Sequence, residues 1–100
     1  MIHHIVLVRF RDDVLASERE DIWAELDGLR NVISGLVSAA FGENVSPESF
    51  SRGFNGGFIM TFQDVTARDA YLEHPAHQAA GARLVAALEG GLDGLLVVDI

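Results

Sequence analysis

"IHHIVLVRF", Ile2 to Phe10, is the stretch on which the fold turns. It is rich in β-forming residues and too short for a buried helix, so it reads as a strand. Successive side chains of a strand leave opposite faces. One face here carries Ile2, His4, Val6, Val8 and Phe10, and the other His3, Ile5, Leu7 and Arg9. Both faces are largely apolar, and the closing "LLVVDI", Leu95 to Ile100, behaves the same way. A sheet built from such strands needs cover on both sides.

Working outward, "RDDVLA" breaks the first strand, and Ser17 with Glu20 matches an S-x-x-E capping box. The box predicts a helix that sets Ile22, Leu26, Leu29 and Ile33 on one face and ends at Gly35. "LVSAAFGENV" reads as a second strand and "SPESFSRGFNGG" as a loop. "FNGGFIMTF" is then a third strand with Phe54, Phe58, Met60 and Phe62 on one face. Thr66 with Asp69 resembles a second cap, and the helix through Tyr71 begins there. After Pro75 a further helical stretch puts His77, Gly81, Leu84 and Leu88 on one face. "EGGLDG" is a turn into the last strand.

The order β-α-β-β-α-β predicts one α+β domain over residues 1–100. Its expected form is a ferredoxin-like protomer, an antiparallel four-stranded sheet with its helices on one face. Two helices cover one side only. The simplest cover for the other is a second copy of the chain, related by a two-fold axis, so a homodimer packed sheet to sheet is expected.

Composition narrows the function. One hundred residues leave room for a single modest core, and there is no cysteine, which excludes disulfides, thiolate metal sites and cysteine nucleophiles. Every base is arginine, so no lysine is present to form a Schiff base. A net charge of -8 repels phosphate backbones and anionic membranes, which argues against nucleic acid as a partner. No apolar run reaches the ~20 residues of a membrane-spanning helix. "MIHHIVLVRF" does not have the pattern of a signal peptide, and a cytoplasmic location is expected.

Chemistry concentrates in "YLEHPAHQAAGARL", Tyr71 to Leu84. His74 precedes a proline and is biased away from helical geometry, so one helix should end near Glu73. Pro75 suits the first position of the next. On one straight helix, at about 100° per residue, Tyr71 and His77 would point some 240° apart; the break can re-aim them onto one pocket. There His77 could take a proton from a carbon acid, and the Tyr71 hydroxyl could donate to the oxygen that develops charge. His4 would be a third polar group, within walls supplied by Trp23, Phe58, Met60 and Leu84. Beside this stands a bland reading, in which His74 caps the helix junction while His77 and Tyr71 are satisfied core polars. The H-x-x-H spacing finds no third ligand, so neither a metal nor a cofactor is expected. Arg9 and Asp99 could pair as a structural ion pair. "NVS", Asn44 to Ser46, is a glycosylation acceptor by pattern alone.

"HIVLVRF", "NVSPESFSRGF", "YLEHPAHQ" and "LLVVDI" together resemble the stress-responsive α/β-barrel domain family, in its order and over nearly the whole chain. The resemblance implies two ferredoxin-like protomers packed as a dimeric α+β barrel. It also implies roles, since one plant member is a polyketide cyclase that performs an intramolecular aldol condensation. By resemblance its catalytic tyrosine and histidine fall on Tyr71 and His77, and its pocket histidine on His4. Two classes of function therefore stand side by side. One is a cofactor-independent enzyme, an aldol cyclase or lyase or a small monooxygenase. The other is a binding or stress-response protein that holds a hydrophobic small molecule without turnover.

Overall fold

A computed structural model describes every residue from Met1 to Ile100. The elements run β1 (Ile2–Val8), α1 (Ala16–Asp27), β2 (Leu36–Glu43), β3 (Gly56–Phe62), α2 (Val65–Glu73), α3 (Pro75–Ala86) and β4 (Leu95–Asp99). The strands form one four-stranded sheet in the order β2-β3-β1-β4. Every neighbouring pair is antiparallel. This is the expected α+β, ferredoxin-like protomer.

The period-two pattern of β1 sorts its faces as the sequence implied. His4, Val6 and Val8 are buried on the helix side, whereas His3 and Leu7 are exposed on the other. The core on the helix side joins Val6, Val8, Phe58, Met60 and Phe62 of the sheet to Ile22, Leu26, Tyr71 and Leu84 of the helices. The opposite face stays open: Leu7 is 37% exposed, Ile59 46%, Leu96 42% and Val98 43%. These four belong to paired strands, so they make one continuous apolar surface.

Several local expectations need correction. α1 starts at Ala16 behind Leu15, which makes no side-chain capping bond, so Ser17 and Glu20 lie inside the helix and form no capping box. α1 also stops at Asp27, well short of Gly35. Gly28 weakens the helix there, and the chain tightens into a 3-10 turn over Gly28–Asn31 that still buries Leu29. Asp27 accepts two bonds from Arg30 across that turn, at 2.9 and 3.0 Å. Gly35 serves instead as the bend into β2, with φ +89°, where an added Cβ would lie 2.6 Å from the Cβ of Ala67. The cap of α2 is Asp64, not Thr66; its carboxylate accepts from the Ala67 amide at 2.9 Å. Phe54 falls before β3 and lies under the Arg9 guanidinium, 4.9 Å from its ring centre. Leu88 lies past the end of α3 yet remains buried.

The junction between α2 and α3 follows the sequence closely. His74 sits in extended geometry between them, with φ -68° and ψ 133°, and Pro75 opens α3. The His74 ring accepts the Ala76 amide at 3.0 Å, which satisfies a donor that the helix start leaves free.

Candidate functional site

Between the sheet and the α2–α3 pair lies a cavity of about 220 Å³. Its polar lining is His4, Tyr71 and His77; apolar walls come from Phe58, Leu84 and Val97 among others. Each polar group arrives from a different element, His4 from β1, Tyr71 from α2 and His77 from α3. The break at His74 and Pro75 turns α3 so that the Tyr71 and His77 rings stand 4.2 Å apart, centre to centre. His4 packs edge-on against Tyr71 at 5.8 Å. The three expected residues are thus brought together.

Their hydrogen bonds differ in a way that bears on chemistry. His77 Nδ1 donates to the Leu72 carbonyl at 3.2 Å, which leaves Nε2 with its lone pair free. Gly81 borders the same cavity, and a Cβ added there would stand 4.0 Å from that nitrogen, in ordinary contact. Burial lowers the pKa of His77 below the ordinary 6.5; the bond to Leu72 opposes the shift and the nearby His4 adds to it. The ring is therefore largely neutral at pH 7. Tyr71 is 0% exposed, and its hydroxyl has no hydrogen-bond partner. Burial pushes the phenol well above its usual range, so it keeps its proton. A buried hydroxyl without a partner is costly in an idle protein and useful in one that binds a ligand there.

Of the four residues expected to wall the pocket, Phe58 and Leu84 line the cavity. Met60 is fully buried in the core beneath the sheet, and Trp23 stacks against Phe10, Phe41 and Phe58, away from the cavity. Asp99 does not pair with Arg9. The β1–β4 register sets it opposite His4, whose Nδ1 lies 2.6 Å from Asp99 Oδ1. Arg9 instead donates to the carbonyl of Asp93. Burial alone would raise the Asp99 carboxyl, but bonds from His4 and Arg68 outweigh it and hold the group below the usual carboxylate range. The signal for Asp99 was present in the alternation of β4, which puts Leu95, Val97 and Asp99 on one face. Arg68 carried no local signal.

A larger concavity, about 630 Å³, occupies the open face of the sheet and is bordered by Leu7, Phe50, Ile59 and Leu96. Its titratable groups are Glu43, Glu48 and Arg52, with no histidine or tyrosine. Acid–base chemistry therefore points to the smaller, helix-side cavity. No cluster of histidines and carboxylates could hold a metal ion, and no helix is long and apolar enough to cross a membrane.

Comparison with known proteins places this geometry among relatives. Over 99% of its length the chain matches 96% of a dimeric ferredoxin-like protein of unknown function from Jannaschia sp. CCS1, at 38% identity and a TM-score of 0.91. A hydroxynitrile lyase from Passiflora edulis shares the fold, with a TM-score of 0.86 at 20% identity over 99% of this chain and 90% of that one. Olivetolic acid cyclase of Cannabis sativa is 24% identical over 80 residues, 80% of this chain and 79% of the cyclase. The stress responsive A/B barrel domain model matches residues 2–100. Because that match spans all but the first residue, the chain belongs to the stress responsive A/B barrel domain family.

Proposed function

We propose that this protein is a homodimer whose helix-side cavity binds a small, mostly apolar carbonyl compound and moves a proton at the adjacent carbon without a cofactor. In this reading His77 Nε2 takes the proton from that carbon. The bonding pair passes to the carbonyl oxygen as an enolate forms, and the Tyr71 hydroxyl donates to that oxygen. The proton then returns from His77 to the enolate or to the product of its onward addition.

One observation carries the proposal: a buried, unpartnered tyrosine hydroxyl beside a depressed-pKa histidine whose free nitrogen adjoins the same cavity. Perturbed acid–base groups in an apolar cleft are a mark of catalytic sites. The cavity, about 220 Å³, is smaller than the ~300–1,000 Å³ of typical drug-sized sites, which favours a compact ligand. A cyclase among the relatives supports carbon-centred chemistry. The dimer is supported by the open apolar face of the sheet and by the dimeric relative from Jannaschia.

Acetophenone tests the reading. In deuterated water the protein should exchange the ketone's methyl protons faster than buffer does, followed by NMR. His77→Ala should lower that rate by about a hundredfold or more while acetophenone still binds. No exchange above buffer, together with ligand binding in the wild type, would instead leave a binding protein without turnover.

A further inference from the structure

Strand register sets His4 opposite Asp99, and the two side chains meet on the helix side of the sheet. Asp99 Oδ1 accepts His4 Nδ1 at 2.6 Å. The second oxygen, Oδ2, accepts Nη1 of Arg68, which reaches across from α2. Arg68 Nε is meanwhile held by Asp69 at 2.9 Å. One carboxylate therefore links β1, β4 and α2, and Arg68 stands one helical turn before Tyr71.

This chain of bonds ends in the cavity. His4 is 5% exposed and lines it, and with Nδ1 committed to Asp99 the ring nitrogen left for a ligand is Nε2. Which nitrogen a histidine presents is set by the bond the other one makes. Asp99, however, is the last residue of an edge strand, and its side chain is 25% exposed, so water competes for both of its oxygens. A carboxylate there would rotate freely unless its second oxygen were also held. A guanidinium suits that task, because its planar fork bonds two acceptors in fixed geometry.

We propose that Arg68 is a positioning residue of the cavity: by holding Asp99 it fixes the His4 ring with Nδ1–H on the carboxylate and Nε2 toward the ligand. The inference rests on the reading of the cavity as a carbonyl site. His77 and His4 then have separate tasks. The first is anchored by a backbone carbonyl and acts as base; the second is anchored by a charged relay and orients the ligand. Arg68 touches neither ligand nor reacting atom and works through Asp99 alone.

The test uses the full chain labelled with nitrogen-15 and long-range proton–nitrogen NMR of the imidazole rings. In wild type the Nδ1 proton of His4 should exchange slowly with water. In Arg68→Met it should exchange at least about tenfold faster, and acetophenone should bind roughly three- to tenfold more weakly, as expected for one lost or misdirected hydrogen bond. Arg68→Lys, a point charge without the fork, should fall between. An unchanged His4 proton in a folded Arg68→Met protein overturns the proposal. Should that variant not fold, Arg68→Gln decides in the same way. If acetophenone neither binds nor exchanges in wild type while the His4 proton still depends on Arg68, the positioning role stands and the carbonyl-site reading is what fails.

Discussion

Tyr71 is the most informative single residue. Its ring packs against Phe62 at 5.0 Å, His4 and His77, yet its hydroxyl satisfies nothing. An orphaned buried hydroxyl costs about 1–3 kcal/mol. Tyr71→Phe should therefore stabilise the ligand-free protein by on the order of 1 kcal/mol, seen as a higher urea midpoint, and should slow acetophenone exchange by about a hundredfold. A destabilised Phe variant would show that the hydroxyl has a partner in solution and would weaken its assignment to a ligand. His77 makes a prediction about pH. Its folded pKa lies below 6.5, so the neutral, proton-accepting form dominates above that value. The exchange rate should be flat from pH 7 to 8 and fall as acid protonates the ring, with its midpoint below 6.5. A midpoint above 6.5 in the wild type, absent from His77→Ala, would contradict the buried, desolvated environment described for this ring.

Among the elements, the α2–α3 junction does the positioning. A continuous helix would send Tyr71 and His77 to different sides; the break at His74 lets two short helices aim them together. His74 contributes through its cap on Ala76 rather than through the cavity, which it does not line. His74→Ala should cost about 1 kcal/mol of stability, measured by chemical denaturation. It should affect exchange only through the start of α3, so the folded variant should retain most of its rate. Complete loss of exchange at full stability would place His74 in the chemistry and contradict this division. The anchoring of β4 matters too, because the edge strand carries Asp99 and is tied to α2 through Arg68.

The whole molecule is unbalanced as a single copy. Its helices seal one face of the sheet, while Leu7, Ile59, Leu96 and Val98 leave the other apolar and exposed. A second copy packed on that face removes the exposure from both. Ile59→Asp places a charge in the middle of the surface and should shift the protein to monomer by light scattering at micromolar concentration, with the helix-side core intact. A wild type that is already monomeric there would remove the dimer from the proposed function. The helix-side cavity is lined by one chain, so acetophenone exchange should survive in a folded monomer.

Much of this was legible in the sequence. The two-faced apolar pattern of Ile2–Phe10 implied a sheet with one uncovered side, and His-Pro-Ala-His announced the helix break together with the residues it re-aims. Those features depend on backbone geometry over a few residues, which local sequence determines through periodicity, proline and capping. Helix ends were less legible: Ser17 and Glu20 match a cap that does not form, because α1 starts two residues earlier, behind Leu15. The alternation of β4 told the face of Asp99, but only the tertiary structure decided that it meets His4 rather than Arg9, that Arg68 reaches Asp99, and that Met60 and Trp23 stand away from the cavity. His4 and Asp99 are 95 residues apart in sequence, and Arg68 and Asp99 are 31 apart. What joins them is strand register and helix packing, settled by the fit of the whole core and written in no short stretch of the chain.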